Sequence, residues 1–226
     1  MTITSRETKE KIFSKFTRVD KIGGKDYTLL SPFVVSKQKK ILFFHIAKTG
    51  GSSIDHLLKK NAINDNILNN VNVNFETRKK YFREVVEEWD EYYKFTFIRN
   101  KYDLLVSSYH YDRVASLAGC SFEDFLKNHV NGESCWYPKY DFWIDQHFLT
   151  TIDDKPIFDF IGNFSNYSRD LASVCSQIKI PREEIKKNIG RYDKKKEYNS
   201  YYTAELKFIV DNKFAKEIKY FKWNNL

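Results

Sequence analysis

The chain has 226 residues and a mass of 27.0 kDa, a size that suits one full domain built around a single core. Hydrophobic residues make up 42% and charged residues 30%, with only 8 Gly and 4 Pro, which excludes collagen-like, low-complexity and mostly disordered classes. The net charge of +8 predicts a surface that attracts anions, namely nucleic acid, nucleotides, acidic polysaccharide or anionic lipid. Charge alone does not choose among these partners.

Cysteine content and hydropathy indicate the cellular compartment of the chain. Cys120, Cys135 and Cys175 form no Cys-x-x-Cys pair, which argues against a disulfide framework and a cysteine zinc site. A reducing compartment fits this pattern, and we expect a cytoplasmic location. The N-terminal stretch lacks the apolar segment of a signal peptide, and no run of about 18 apolar residues occurs, so we expect no transmembrane segment.

The first elements can be placed by composition and hydrophobic pattern. Residues 1–38 are polar and basic and are interpreted as an N-terminal extension, followed by a single domain over residues 39–226. The first buried strand is predicted at Ile41–Ile46, because uninterrupted apolar character is typical of a central parallel strand. A loop of small residues then opens onto a helix whose apolar residues have helical spacing: Ile54, Leu57 and Leu58.

Helical and strand patterns alternate in the rest of the chain. A helix is predicted over residues 79–93, and it leads into a second strand at Phe95–Ile98. Ser121 begins a predicted capping box, and a third strand is predicted at Ile157–Ile161. Thr203 is predicted to cap one final helix. This order of elements predicts an α/β fold.

The loop from Ala47 to Ser53 has the chemistry of an anion site. A strand that runs into small residues and then a helix presents free amides and the positive helix end, and Lys48 adds a full charge. A Walker A motif has Gly before its Lys, whereas here Ala47 precedes the lysine and the glycines follow it, which argues against an ATPase. Taken by itself, the motif is also compatible with an ordinary strand-to-helix turn carrying a solvated lysine.

The wider segment, Phe43–Ile54, resembles the 5′-phosphosulfate loop of the carbohydrate sulfotransferases related to the heparan sulfate O-sulfotransferases, approximately HIPKTGGTS. Arg99 at the end of the second strand is followed eight positions later by Ser107, as in the family's 3′-phosphate segment. Similar segments follow in the family's order, so the resemblance covers roughly residues 41–223. The chain departs from the family's usual residues at four positions: Ala47, Lys101, Leu104 and Ser165.

The resemblance implies a P-loop-like three-layer fold with a central, mainly parallel sheet flanked by helices. It also implies in-line transfer of a sulfuryl group from 3′-phosphoadenosine 5′-phosphosulfate to a hydroxyl of a carbohydrate or glycan. We expect no metal, because the sequence shows no metal-binding cluster and a sulfuryl group carries less charge than a phosphoryl group. Lys48 is expected to act in catalysis, because negative charge grows on the 5′-phosphate as the S–O bond breaks. Arg99 would bind the 3′-phosphate through two hydrogen bonds, which would distinguish this donor from ATP. The expected donor-binding residues are Lys48, Thr49, Gly50, Gly51, Ser52, Ser53, Arg99 and Ser107.

The general base is left open between Glu76 and His110. Relatives often carry a histidine base between the first helix and the second strand, but residues 61–94 contain no histidine and Glu76 lies there instead. His110 follows Ser107 closely on the same predicted helix. Of the other histidines, His45 and His147 are interpreted as structural residues. No role is assigned to His56 and His129 by their spacing.

Two other functions are weighed against the sulfotransferase. A nucleotide kinase or NTPase predicts Mg²⁺-dependent ATP binding. A basic, non-enzymatic module for glycan or nucleic acid predicts steep salt dependence and no saturable nucleotide site. We expect the sulfotransferase, with a glycan or polysaccharide acceptor, a nucleotide donor and no nucleic-acid partner. Three tyrosines near the C-terminus are interpreted either as packing residues or as a cover for the adenine: Tyr198, Tyr201 and Tyr202.

Overall fold

The computed structural model of the chain describes residues 4–22, 25–30, 32–70, 72–111, 119, 121–127, 145–181 and 197–223. The hypotheses about Cys120, Cys135 and His129 lie outside these residues. The described helices are α1 (Arg6–Thr17), α2 (Gly51–Lys60), α3 (Phe75–Glu87), α4 (Lys101–Tyr109), α5 (Phe122–Phe125), α6 (Gln146–Thr150), α7 (Tyr167–Gln177), α8 (Ala204–Lys213) and α9 (Ala215–Phe221). The described strands are β1 (Val19–Ile22), β2 (Lys25–Thr28), β3 (Phe33–Ser36), β4 (Ile41–Phe44), β5 (Tyr93–Ile98), β6 (Thr151–Ile152), β7 (Lys155–Pro156) and β8 (Phe160–Asn163).

The central sheet has four strands in the order β3-β4-β5-β8. β4 pairs in parallel with β5, and β5 pairs in parallel with β8, while β3 is an antiparallel edge strand beside β4. Parallel neighbours require long crossover connections, and α2 and α3 supply the one between β4 and β5. The sheet is therefore mainly parallel, and its carboxyl edge brings the ends of β4, β5 and β8 together.

Alternation along the strands gives the sheet two apolar faces. On one face, Phe43, Phe95 and Phe97 belong to a buried cluster that includes residues of α2 and α7. On the other face, Leu42 and Phe44 belong to a cluster that includes residues of α1 and α3. Helices thus flank the sheet on both sides, which confirms the α/β fold with a central, mainly parallel sheet.

The segment 1–38 contributes to this core. β3 is buried along its whole length, and Ile12 and Phe16 of α1 are fully buried against the same face as Phe44. The first buried strand is therefore Phe33–Ser36, and the prediction that it begins at Ile41 is wrong. Polar composition was misleading because α1 is amphipathic and the buried strand is only four residues long. The division into an extension and a domain over residues 39–226 stays a prediction.

Several element boundaries also differ from those predicted. β4 ends at Phe44 and not at residue 46, and the next residue, His45, donates instead to the carbonyl of Pro32. α3 begins at Phe75, where Asn74 caps it, and ends at Glu87 before a short 3₁₀ turn. The capping box that begins at Ser121 is confirmed.

The third parallel strand and the last helix are corrected as well. The strand predicted at Ile157–Ile161 is shifted to Phe160–Asn163. It continues past Ile161 because Gly162 has no side chain to collide with the Phe97 ring, whereas Ile157 is buried before the strand begins. Thr203 caps α8 as predicted, but the final helical segment is interrupted at Phe214, which separates α8 from α9.

Candidate active site

The loop between β4 and α2 is held in an unusual backbone conformation. Lys48 has φ 64° and Gly50 has φ 89°, both in the left-handed region. At Gly50 a Cβ would also lie 2.6 Å from the Tyr167 ring, so the position requires glycine for conformation and for space. The Tyr167 hydroxyl donates to the Gly50 carbonyl at 2.9 Å. The contacts with Tyr167 of α7 therefore hold the loop in this conformation without a ligand.

The start of α2 is open to an anion. Within the described part of the chain, no side chain caps this helix, and its first turn carries no acidic residue. The first amides of a helix have no partner inside the helix, and the aligned peptide dipoles make this end positive. Since Gly50 and Gly51 add no side chains at this end, an oxygen of a ligand can approach the backbone closely.

His45 contacts the first turns of α2. Its Nδ1 lies 2.7 Å from Oδ2 of Asp55, and its ring lies so close to Gly51 that a Cβ there would overlap it. The ring also stacks on Phe43. This geometry agrees with the interpretation of His45 as a structural residue, and it explains why residue 51 has no side chain.

The hydroxyl residues of the loop differ in their placement. The Thr49 hydroxyl is buried and donates to the Ile46 carbonyl at 2.7 Å, so Thr49 can offer a ligand its backbone amide but not this proton. Ser52 is exposed and Ser53 is half-buried in the first turn of α2. The Ser53 amide donates to the Gly50 carbonyl at 3.2 Å, whereas the amide and hydroxyl of Ser52 can reach an anion at the open helix start.

Arg99 joins this loop to the neighbouring strand. It follows β5, and its Nη1 donates to the Lys48 carbonyl at 3.0 Å. Its Nε and Nη2 donate to the two carboxylate oxygens of Asp103 at 2.6 and 2.7 Å, and the guanidinium lies 4.2 Å from the centre of the Phe164 ring. A guanidinium has five N–H groups, so these bonds leave two for a phosphate. The sequence predicts Arg99 as a site residue, and the four-residue spacing of Arg99 and Asp103, which is typical of an ion pair on a helix, is the signal by which its partner could be found.

One face of α4 continues from Arg99 toward the Lys48 side chain. Asp103 and Ser107 are four residues apart in α4, which places them on one side of this helix, and Tyr111 follows two residues after the helix ends. The Lys48 ammonium lies 4.1 Å from the centre of the Tyr111 ring. Ser107 therefore lies on the same side of α4 as Asp103, the partner of Arg99, and the chain that follows the helix reaches Lys48.

The candidate bases are placed differently. His110 is half-buried at the end of α4, beside Tyr111 in the chain, and its Nε2 lies 2.9 Å from the Tyr201 hydroxyl. Glu76 is exposed in the first turn of α3, and among the described residues no hydrogen bond or ion pair connects it to the Lys48 loop. The geometry thus brings Lys48 and the end of α4 together and does not bring Glu76 to them.

Of the other residues singled out in the sequence, His147, Tyr201 and Tyr202 pack against neighbouring rings, whereas His56 packs against none among the described residues. His147 is buried in α6 against Tyr220, and burial is the main cause that lowers the pKa of its imidazole. Tyr202 donates to the Tyr102 carbonyl, and the rings of Tyr201 and Tyr202 pack edge-on against neighbouring aromatic rings. His56 is exposed on α2.

A buried polar network lies behind Arg99. Gln146 accepts from the Arg99 amide and donates to the Arg99 carbonyl, both at 2.9 Å, so its side chain pairs with the backbone like a neighbouring strand. The backbone N–H of Gln146 and its side-chain Nε2 also donate, one to each carboxylate oxygen of Glu217. Glu217 lies 3.1 Å from the Lys101 ammonium, and both side chains are 0% exposed. The sequence offered no signal for this network because Glu217 is far from its partners in the chain.

Burial raises the pKa of Glu217 to about 7, and Asp145 adds to this shift while Lys101 opposes it. A carboxyl whose pKa is raised in the folded state stabilises the fold below its ordinary value of 4.5, and this contribution is lost as pH rises through 7. We expect the unfolding free energy of the native chain to fall, relative to that of Glu217→Gln, between pH 5 and pH 8. Urea unfolding of both proteins at the two pH values checks this; a difference that does not change with pH would contradict the assignment.

The fold and the site together define a mixed α/β protein in which a glycine-rich loop, a helix start and an arginine are suited to a ligand with two anionic groups. Comparison with known proteins makes the class specific. The chain belongs to the Sulfotransferase family, whose model matches residues 31–220. Membership assigns it to the transferases that move sulfuryl groups.

Two further comparisons add little about function. The chain is similar to an uncharacterized protein of Archaeoglobus fulgidus, with 31% identity over 96 residues that make up 42% of this chain and 74% of that protein. No solved structure matches the chain. None of the described helices combines the length and apolar character that a membrane crossing requires.

Proposed function

We propose that the chain transfers a sulfuryl group from 3′-phosphoadenosine 5′-phosphosulfate to a hydroxyl of a carbohydrate or glycan, using a P-loop-like donor site as in the relatives of the heparan sulfate O-sulfotransferases. The observation that carries this proposal is the 3.0 Å hydrogen bond from Arg99 to the Lys48 carbonyl. It joins two groups suited to anions at the carboxyl ends of adjacent parallel strands, where ligands of open α/β sheets usually bind.

The donor has two anionic ends that match these two groups. The 5′-phosphosulfate would lie on the open start of α2, against the amides of residues 49–52, with Lys48 supplying a positive charge. The 3′-phosphate would bind the two remaining N–H groups of Arg99, with the Ser107 hydroxyl on the same side of α4. ATP has no 3′-phosphate, so Arg99 would favour the sulfuryl donor over ATP.

The proposed reaction is a single in-line displacement. The acceptor oxygen forms a bond to sulfur while the bond between sulfur and the 5′-phosphate oxygen breaks, and the bisphosphate leaves with the bonding electron pair. The acceptor proton passes to a base, for which His110 is the better placed of the two candidates. Lys48 and the start of α2 stabilise the charge that grows on the leaving phosphate.

The acceptor is proposed to be a glycan or polysaccharide, and the net charge of +8 is consistent with an acidic one. The described residues contain no cluster of three or more His, Cys, Asp or Glu side chains that could hold a metal. The expectation that no metal takes part stays a prediction.

Replacement of Arg99 tests the donor assignment. We expect Arg99→Gln to weaken binding of 3′-phosphoadenosine 5′-phosphate by about 10- to 100-fold, because a hydrogen bond to a charged group is typically worth about 1.5–3 kcal/mol. Binding of adenosine 5′-phosphate, which lacks the 3′-phosphate, should change little. Calorimetric titration of each nucleotide measures both affinities.

The matched control is Arg169→Gln, since the Arg169 side chain is 74% exposed on α7 and should leave both affinities unchanged. Equal losses for the two nucleotides in Arg99→Gln would show that Arg99 does not recognise the 3′-phosphate. Such a result would remove the main support for the proposed donor.

A further inference from the structure

The polar network of Lys101, Glu217 and Gln146 places two buried charges in the core, which is unfavourable for folding. Lys101 and Glu217 are both fully buried, and removing two charges from water is unfavourable unless their geometry and hydrogen bonds are good enough to offset it. Among the described residues, the Lys101 ammonium makes no hydrogen bond of good geometry; it lies 3.1 Å from Glu217 and 4.2 Å from the centre of the Phe214 ring. An apolar pair would fill this space at lower cost, so a purely structural role explains the network poorly.

The hydrogen bonds of the network connect Glu217 to Arg99 through Gln146. Glu217 accepts from the backbone amide and from the side-chain amide of Gln146, which fixes the orientation of the Gln146 side chain. With its Nε2 held in this way, Gln146 can present Oε1 to the Arg99 amide and Nε2 to the Arg99 carbonyl. Arg99 and the cap residue Asn100 connect β5 to α4, so Arg99 lies where β5 has ended and no longer fixes the backbone. The Gln146 side chain thus bonds the N–H and C=O groups of Arg99, as a neighbouring strand would if β5 continued.

We infer that Lys101, Glu217 and Gln146 form a positioning network that sets the direction of the Arg99 side chain, and with it the preference of the site for a ligand bearing a 3′-phosphate. This inference rests on the proposed function. Lys101 contacts the Glu217 carboxyl group at 3.1 Å, Glu217 orients Gln146, and Gln146 fixes the backbone from which the guanidinium reaches the Lys48 carbonyl. None of the three needs to touch the ligand.

Two double variants separate this role from simple packing. Lys101→Met with Glu217→Gln removes both charges but keeps one amide oxygen that can accept from Gln146. Lys101→Met with Glu217→Met removes both charges and every acceptor. Neither leaves a buried unpaired charge, and neither changes the net charge, so the long-range attraction of an anion stays constant.

The readout is the ratio of affinities for 3′-phosphoadenosine 5′-phosphate and adenosine 5′-phosphate. We expect the ratio to fall by about fivefold or more in the double Met variant, the factor that corresponds to one typical hydrogen bond, and to fall less in the variant that keeps Gln at 217. The control is Lys94→Met with Asp159→Asn, which removes an ion pair at the opposite end of β5. This control should alter thermal stability without altering the ratio.

The outcomes can be told apart. If the ratio is unchanged in the double Met variant but falls in Arg99→Gln, Arg99 is positioned without the network and the inference is wrong. If the native chain shows no preference for the bisphosphate, the proposed function fails and the inference fails with it. Should the double Met variant not fold, Gln146→Met breaks the network one link closer to Arg99; the same fall in the ratio is expected, and an unchanged ratio overturns the inference.

Discussion

Lys48→Met is expected to lower turnover by about 10²–10³-fold while the fold and the binding of 3′-phosphoadenosine 5′-phosphate are retained. The lysine meets charge that grows on the leaving phosphate, so its effect is larger in the transition state than in the bound donor, and removing one such group typically costs this factor. The left-handed backbone at Lys48 and the bond from its carbonyl to Arg99 do not depend on the side chain. Single-turnover kinetics and calorimetric titration measure the two quantities separately.

A matched control for this variant is Lys59→Met. Lys59 is exposed in the last turn of α2, the helix that follows the Lys48 loop. It lies away from the open helix start, so its loss should change turnover by less than about twofold. If Lys48→Met lost affinity for the product as strongly as it lost turnover, Lys48 would be a binding residue only. If neither quantity changed, the reaction would not occur at this loop.

His110→Gln is expected to lower turnover by about 10²–10⁴-fold, the range that a general base typically contributes, with donor binding retained. His110 adjoins Tyr111, whose ring lies 4.1 Å from the Lys48 ammonium, and it is oriented by the Tyr201 hydroxyl. Gln keeps a polar side chain that can bond to Tyr201 but cannot take a proton at neutral pH. The rate of sulfuryl transfer under saturating donor and acceptor measures the effect.

Glu76→Gln is the comparison for this experiment, because Glu76 was the equal candidate in the sequence. Its exposed position in the first turn of α3 predicts a change of less than a few fold. The reverse result, with a large loss in Glu76→Gln and none in His110→Gln, would move the base to α3. Tyr201→Phe adds a check on orientation: it should lower turnover while affinity for the donor is unchanged.

The parts of this molecule that follow from neighbouring residues could be predicted. The strand, loop and helix around Lys48 lie within one short segment, where apolar residues, glycines and helical spacing each favour the same local structure. Arg99 could be predicted for the same reason, since it ends an apolar strand and precedes a helix. Caps at Ser121 and Thr203 depend on residues only three positions away.

Contacts between distant segments could not be predicted from these local patterns. The bond from Arg99 to the Lys48 carbonyl spans 51 positions, and those from Gln146 to Glu217 span 71. Neither pair leaves a periodic signal in the sequence. The edge strand Phe33–Ser36 could not be predicted, because four buried residues beside a polar segment are too few to show a pattern and their burial depends on pairing with β4.

The central claim is that this site moves a sulfuryl group from a nucleotide donor to a glycan. Incubation of the purified chain with 3′-phosphoadenosine 5′-phosphosulfate and a panel of polysaccharides, followed by mass spectrometry of nucleotide and glycan, tests it most directly. We predict that 3′-phosphoadenosine 5′-phosphate forms in equal amount to a sulfated sugar, with at least one acceptor, and that the Lys48→Met chain forms neither at a comparable rate. Formation of the bisphosphate without sulfated sugar for every acceptor, or sulfation that is unchanged in the Lys48→Met chain, would contradict the claim.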